Sequence, residues 1–353
     1  MQGLCFVGGH TRRRVEGNVA ASRSDKRPAV LVLYNQVDAV IKGESIDLIS
    51  DQETARVAHE IAAGLTGLGY RTQALGVRQD VAQALTPYSP AEWVVFNLIE
   101  SLAGDSALEQ TVPPIYEALG FHYTGNRAPA MARCLDKAGT KAFLAAHGLD
   151  TPRYALLSAP DEPCPVPLPA IVKPSAEDAS VGITYDSVVS DASALARRVA
   201  YIIERYRQPA LVEEFIDGRE FNCAIWGNEQ PESLPISEIS FEDFPDPLQR
   251  ILTYESKWVE DSFAYHHTPG ICPARVEPET ADRLNRAARE AYLLTGCRGY
   301  ARVDIRWRDG TPFIMEVNPN PSLAPEGGFV RAAAASGFDY AHMAERILLL
   351  AMA

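Results

Sequence analysis

Basic residues are in short supply in this chain: 33 Lys and Arg stand against 46 Asp and Glu, a formal net charge of -13. That deficit argues against a nucleic acid or an anionic membrane as the main partner, because both are bound by clustered Lys and Arg. A local basic pocket for polyphosphate remains compatible with it. Cysteine is sparse and scattered. Cys5, Cys134, Cys164, Cys223, Cys272 and Cys297 contain no C-x-x-C pair, so neither a disulfide framework nor a zinc site is indicated, and free thiols in a reducing cytoplasm are expected. Long apolar runs are missing too, and no uninterrupted stretch reaches bilayer-spanning length. Residues 1–27 lack sustained periodicity, and Leu4-Cys5-Phe6-Val7 is too short for the apolar core of a secretory signal. They read as a flexible tail or an over-extended start.

What is present is an ordinary globular composition, 46% hydrophobic and 22% charged over 353 residues, enough for two or three packed units. Pro28 to Tyr34 is a continuous apolar run of the kind that makes a buried parallel strand. Ser50-Asp51-Gln52-Glu53 has the capping-box pattern. Val57, Ile61, Leu65 and Leu68 then recur at helical spacing until Gly69. Strands at Arg71–Val77 and Trp93–Ile99 and a helix at Val112–Leu119 continue an alternation that predicts an open, mostly parallel sheet, with Glu100 emerging at its ligand edge. Beyond it the pattern predicts a helix from Asp136 to His147, strands at Ala170–Lys173, Pro209–Phe215 and Glu220–Trp226, and a helix from Thr280 to Thr295. Ile236 to Pro273 is poor in periodic signal, which suggests long loops over a site.

The segment Ala301–Asn318, ARVDIRWRDGTPFIMEVN, carries the strongest local signal. Strand period two puts Arg302, Asp304 and Arg306 on one face, and Glu316 and Asn318 on one face of the returning strand. If the hairpin brings these faces together, Asp304, Glu316 and Asn318 offer hard oxygen ligands suited to Mg2+ beside phosphate rather than to zinc. A solvated polar face fits the same pattern. Loop parity decides which residues meet. A two-residue turn at Asp309-Gly310 would send Glu316 to the wrong side. A three-residue loop, Arg308-Asp309-Gly310, opposes Arg302 to Glu316 and puts Val303, Ile305, Met315 and Val317 in the core, and this is the expected register unless a bulge shifts the parity.

Lys137, Lys173 and Lys257 are candidate phosphate contacts. Pro174 keeps Lys173 out of the helical region, so it should end a strand and project into the loop Ser175–Gly182. That loop holds one Gly and two acids and is a weak phosphate-lid signal. Glu213, Glu214 and Glu220 around Asp217-Gly218 can bind an adenosine's amino and hydroxyl groups, or can be surface charge.

The order of these pieces is more specific than any one of them. KPSAEDASVGI at 173–183, VEEFIDGREF at 212–221, RVDIRW…EVNPNPSLAPEGGF at 302–329 and FNLIE…YTGN…LDKAGTK earlier in the chain resemble the D-alanine–D-alanine ligase branch of the ATP-grasp superfamily. The resemblance covers about Pro28 to the C-terminus. It implies an N-terminal open α/β domain at 28–125, followed by two α+β subdomains at 126–212 and 213–353 that clasp ATP. It also implies that Lys137 and Lys173 contact the phosphates with Ser180 in the lid, that Glu213 accepts from the adenine amino group, and that backbone at Phe215 and Ile216 reads the ring edge. Glu220 would hold the ribose, Lys257 would reach the terminal phosphate, Asp304, Glu316 and Asn318 would bind two Mg2+ ions, and Arg302 would stabilise the charge of transfer. The implied activity is an ATP-dependent, ADP-forming carboxylate–amine ligase working through an acyl phosphate. Its implied partners are a small-molecule carboxylate and amine, without nucleic acid or membrane, and a homodimer is the assembly considered.

Departures from the family cluster at its amino-acid contacts. A lid serine is Ala179 here and the glycine before it Asp178. The tyrosine after the loop lysine is Trp258, the histidine-glycine pair after the third strand is Ile99-Glu100, and a glycine and a serine near the second substrate's carboxylate are Ser322 and Gly327. No clear counterpart of the early glutamate stands near Ser50. Glu100 and Glu326 appear where the family lacks them and are candidates for an ammonium group. These changes favour another carboxylate and amine over two D-alanines. A D-alanine–D-alanine ligase with rebuilt contacts and a non-catalytic nucleotide-binding homologue are the alternatives, and joint retention of Arg302, Asp304, Glu316 and Asn318 argues against the second.

Overall fold

The structure, a computed structural model, describes residues 27–37, 42–44 and 48–353, without the side chains of 48 and 50–52. The expected tail and the Ser50 capping box therefore lie outside the described residues. The apolar run forms β1 (Ala29–Asn35), followed by α1 (Leu48–Gly67), β2 (Thr72–Val77), α2 (Val81–Leu85) and β3 (Trp93–Leu98). The three strands pair in parallel in the order β2-β1-β3. Helix α1 begins ahead of the expected cap. Its Val57, Ile61 and Leu65 are buried at a 3.6-residue period, each contributing roughly 2 kcal/mol of apolar burial. Then come α3 (Val112–Leu119), stopped where Gly120 takes the left-handed φ of 81°, α4 (Ala128–Leu135) and α5 (Lys137–Ala146). Asp136 caps α5 by accepting the Gly139 N–H at 2.9 Å.

A second sheet follows: β4 (Tyr154–Leu157), β5 (Ala170–Pro174), β6 (Val188–Val189), α6 (Ala192–Tyr206) and β7 (Ala210–Glu214), in the antiparallel order β4-β7-β5-β6. Helix α6, which the sequence reading did not name, lays Val199, Ile202 and Tyr206 on Val172 and Val212. Strand β7 runs through the boundary expected at 212/213 and stays with this sheet.

The third unit comprises β8 (Arg219–Trp226), β9 (Glu232–Ser233), β10 (Ser237–Ile239), α7 (Tyr254–Trp258), α8 (Phe263–His266), β11 (Gly270–Ile271), α9 (Pro278–Thr295), β12 (Tyr300–Arg308), β13 (Thr311–Asn318), α10 (Gly328–Ala335) and α11 (Tyr340–Met352). Its sheet has the order β11-β10-β8-β12-β13, with β9 on β8. Helix α9 covers one face, packing Leu284, Ala288 and Tyr292 on Phe221, Val303 and Ile305. Helices α10 and α11, also unnamed by the sequence reading, tie this unit to the first, where Met343, Ile347 and Leu348 join Val57, Ile61 and Leu65 in one core. Among the described residues no helix is long and apolar enough to cross a membrane, and the five described cysteines are free.

The β12–β13 hairpin corrects the expected register. The turn has two residues, Asp309 (φ 51°) and Gly310 (φ 81°), both left-handed as the right-handed strand twist prefers, and Arg308 pairs with Thr311. Parity is restored further along: Ile305 pairs with Ile314 but Asp304 with Glu316, so Met315 is the extra residue of a bulge. Arg302, Asp304, Glu316 and Asn318 share one face after all, with Ile314 rather than Met315 in the core. A bulged residue leaves backbone groups unpaired. The Met315 carbonyl is met at 2.7 Å by the buried ammonium of Lys141.

Candidate functional site

A cavity of about 480 Å³ opens between the second and third sheets and is lined by residues of all three units. The hairpin forms one wall. Asp304 is only 8% exposed and is gripped from all sides. Arg302 donates Nε to Oδ1 at 2.7 Å and Nη2 to Oδ2 at 2.8 Å, Asn318 donates to Oδ2 at 3.0 Å, and Asn222, its cross-strand partner on β8, donates to Oδ1 at 2.8 Å. Burial works against the Arg302 charge, but Asp304 outweighs it and raises the guanidinium pKa. Asp304 is therefore a buried ion-pair partner, in contrast to the solvated face that the strand pattern also fitted.

Glu316 faces Lys137, whose Nζ lies 3.0 Å from Oε2 and 2.6 Å from Asp178 Oδ1. Burial opposes charge on both partners. On Lys137 the pull of Asp178 and Glu316 wins and raises its pKa. On Glu316 the pull of Lys137, then Lys173 and Lys257, wins and holds the carboxyl well below its ordinary range. Lys257, on α7, lines the cavity, and among the described residues no carboxylate lies within ion-pair reach of it. Burial first, and then the charge of Arg302, lower its pKa.

Glu213 departs from its expected place at an adenine. It is fully buried and does not line the cavity. Its oxygens sit 3.0 Å from Lys141 and 3.1 Å from Lys173, and these cations outweigh burial and lower its pKa. Lys141 pays for this position: burial, with the repulsion of Lys173 added, lowers it to about 8 despite Glu213. Phe215 and Ile216 line the cavity, but the Phe215 N–H already donates to Pro169 O at 3.1 Å and the Ile216 carbonyl accepts from Arg306 at 2.9 Å. Glu220 also lines it, held by Arg306 through Nη2 at 2.7 Å and Nε at 3.1 Å.

The lid residues Ala179 (φ 55°) and Ser180 (φ 61°) are consecutive and left-handed, a conformation costing roughly 1 kcal/mol or more per non-Gly residue. Two contacts from the α7 segment hold it. Trp258 Nε1 donates to Ala179 O at 3.0 Å, and Ser180 Oγ to Leu252 O at 3.1 Å. Glu177, from the same loop, reaches the first unit through Lys42 at 2.7 Å and Ser106 at 2.9 Å.

At the other end the cavity is lined by Glu100, Glu109, Ser322, Glu326, Gly327 and Arg331. The Glu326 carboxylate is turned to Arg56 at 3.2 Å. Ser322 Oγ accepts the Ala324 N–H at 3.2 Å. Gly327 caps α10, and a Cβ there would stand 2.9 Å from the Ala324 carbonyl, so a side chain at this position needs the backbone to shift. Burial, reinforced by Asp178 and Glu100, pushes the Glu109 carboxyl well up. The sequence reading assigned no role to Lys141, Asn222, Arg306, Glu109 or Arg331. Lys141 sits one turn after Lys137 on the same helix face, and Asn222 two residues after Glu220 on one strand face, so both carried a signal. Glu109 and Arg331 carried none, being brought in only by packing.

The donor set of Asp304, Glu316 and Asn318 is of hard oxygens, the chemistry that fits Mg2+. In the structure cationic side chains, Arg302 and Lys137, neutralise the two carboxylates.

Three sheets with a cleft between the second and third, lined by lysines and a carboxylate-bearing hairpin, define an ATP-grasp protein. The family described as "D-ala D-ala ligase C-terminus" matches residues 161–349. The uncharacterized protein y4sG of Sinorhizobium fredii is 32% identical over 301 residues, 83% of this chain and 86% of that one. The D-alanine–D-alanine ligase of Desulforudis audaxviator is 31% identical over 306 residues, 84% and 92% of the two chains. A D-alanine–D-alanine ligase of Bacillus anthracis, solved in complex with ATP, superposes with a TM-score of 0.71 at 21% identity, covering 92% of this chain and 98% of that one. The chain belongs to the D-alanine–D-alanine ligase family, and it is an ATP-dependent carboxylate–amine ligase.

Proposed function

We propose that the protein activates a small-molecule carboxylate as its acyl phosphate and joins it to an amine other than D-alanine. The convergence of Lys173, Lys257 and Arg302 on a cavity wall bearing Asp304, Glu316 and Asn318, with Lys137 buried behind it against Glu316 and Asp178, carries this reading. Phosphoryl transfer asks for positioning and charge neutralisation rather than covalent help. Lys137 and Lys173 hold the polyphosphate. Lys257, which has no carboxylate within ion-pair reach among the described residues, meets the terminal phosphate. Glu220, fixed by Arg306, takes the ribose hydroxyls, and the ring lies along Phe215 and Ile216. Asp304, Glu316 and Asn318 hold Mg2+, which when bound supplies further neutralisation of the phosphate charge. The substrate carboxylate attacks the terminal phosphorus and ADP leaves. The amine then attacks the acyl carbon and expels phosphate, with Arg302 facing the oxyanion. The Ala179-Ser180 lid, pinned by Trp258 and Leu252, keeps water from the acyl phosphate.

Amino acids and amines screened for ATP-dependent phosphate release test this reading. Release that requires both a carboxylate and an amine is expected, with an amide product. Phosphate release with D-alanine alone at the rate of the best pair would favour instead a D-alanine–D-alanine ligase with rebuilt contacts, the reading to which the 31% identical relative points.

A further inference from the structure

Both stalks of the Ser175–Gly182 lid are tied to helix α6 of the second unit. The lid leaves β5 after Pro174, and Gln208, just past the end of α6, holds the outgoing stalk. Its Oε1 accepts the Ala176 N–H at 2.7 Å and its Nε2 donates to Glu177 at 2.6 Å. The returning stalk passes Gly182, at a left-handed φ of 73°, where a Cβ would stand 2.8 Å from Pro174 and 2.9 Å from Tyr206 of α6. The two stalks meet there, and a residue without a side chain lets them close.

Arg198, in the middle of α6, holds the returning stalk. Its Nη2 donates to the Gly182 carbonyl at 2.5 Å and to Ser187 Oγ at 2.7 Å. Ser187 Oγ in turn accepts the Thr184 N–H at 3.0 Å, so the guanidinium fixes the chain on both sides of Ile183. Ile183 carries that position two ways. Its N–H donates to the Ser180 carbonyl at 3.0 Å, and its own carbonyl accepts the Tyr254 N–H at 2.9 Å, at the start of the helix that bears Lys257.

The place is unfavourable for a cation. Arg198 is 7% exposed, no carboxylate lies within ion-pair reach of it among the described residues, and its Nε meets no acceptor among them. Burial lowers its pKa. The Tyr201 ring, 4.4 Å from its Cζ, offsets part of this. Beside Val199, Ile202 and Tyr206 an apolar side chain would cost less, so what the guanidinium supplies is the hold on the lid.

We propose that Arg198 is a positioning residue for the ligase reaction: through the Gly182 carbonyl it sets the lid and α7 together over the cavity, so that Ser180 and Lys257 meet the nucleotide in register. The inference deepens the ligase reading above and rests on it. A guanidinium holds its acceptors at fixed angles, which suits a hinge that must return to one position. A lid that sits loosely admits water, which attacks the acyl phosphate and returns the carboxylate and phosphate with no amide formed. Were Arg198 there for stability alone, its loss would leave fewer folded molecules but unchanged chemistry in each.

Phosphate and amide are measured together, with the best carboxylate–amine pair, in the wild type, Arg198→Met, Arg198→Lys and Gly182→Ala. The wild type should release about one phosphate per amide. Arg198→Met is expected to raise KM for ATP about 10-fold and the phosphate released per amide at least about 2-fold, with kcat for phosphate release within about 3-fold. Arg198→Lys keeps a charged donor and should recover part of both. Gly182→Ala pushes the returning stalk away from Pro174 with Arg198 in place and should move both readouts in the same direction, which decides the matter even where Arg198→Met fails to fold. Wild-type KM for ATP and a wild-type ratio in Arg198→Met, or in Gly182→Ala, overturn the proposal. A wild type that makes no amide with any pair overturns the ligase reading, and this inference with it.

Discussion

The two ends of the cavity treat charge in opposite ways. On the hairpin wall each carboxylate is matched within the protein, Asp304 with Arg302 at 2.7 Å and Glu316 with Lys137 at 3.0 Å, and behind it Glu213 lies between Lys141 and Lys173. At the α10 end Glu326 is paired with Arg56, but Arg331 and Glu109 meet no opposite charge within ion-pair reach among the described residues. Among the described residues Arg331 has only neutral acceptors, and Glu109 has an amide, Asn320, at 3.3 Å. A matched wall holds its geometry whatever is bound, which suits groups that act on a phosphate common to every turnover. An open wall gains its counter-charges from the ligand, which suits the part of a site that selects.

The largest effect should follow from unmatching the hairpin. Asp304→Asn and Glu316→Gln are each expected to lower kcat for phosphate release by about 10³-fold or more. Glu316→Gln should melt close to the wild type, because Asp178 still pairs with Lys137. Asp304→Asn should melt lower, because Arg302 loses its buried partner. Undiminished phosphate release in either variant would remove the hairpin from the reaction and break the contrast.

Next comes the buried group behind it. Lys141→Met leaves Glu213 with Lys173 alone and the Met315 carbonyl unpaired, an expected loss of about 3 kcal/mol by urea unfolding. An unchanged unfolding midpoint would mean that the bulge does not depend on Lys141. The same residue gives a pH signature. Its pKa falls from 10.5 to about 8 on folding, so between these values the unfolded chain holds the proton more tightly, and this contribution to stability rises with pH. The slope in that window should shrink in Lys141→Met, and an identical profile for the two proteins would deny the shift.

The smallest effect is expected at the lid. Trp258→Phe keeps the ring and removes one hydrogen bond to Ala179 O, about 1 kcal/mol, or roughly 5-fold in KM for ATP with little change in melting temperature. No change in KM would leave the left-handed Ala179-Ser180 pair to be held by Ser180 and Leu252.

The sequence by itself determined the strands and helices whose periods are clean. Val112–Leu119 ends at Gly120 as read, α5 starts on its Asp136 cap, and β1, β5 and β8 lie within a residue or so of their expected bounds. It also paired Arg302 with Asp304 and Glu316 with Asn318, because strand period two is a local property of the chain, and the order of the motifs pointed to the four as one set. Tertiary structure alone decided how that set is assembled. The turn is one residue shorter than expected, and a bulge at Met315 makes up the parity because Lys141, from another unit, satisfies the freed carbonyl. It alone decided that Glu213 serves two lysines instead of the cavity, since burial is a property of what packs above a strand and not of the strand. Arg331 became legible only there as well. A lone arginine in an alanine-rich helix has no period or motif, and its meaning lies in Gly270, 61 positions away, whose missing side chain makes the room it occupies.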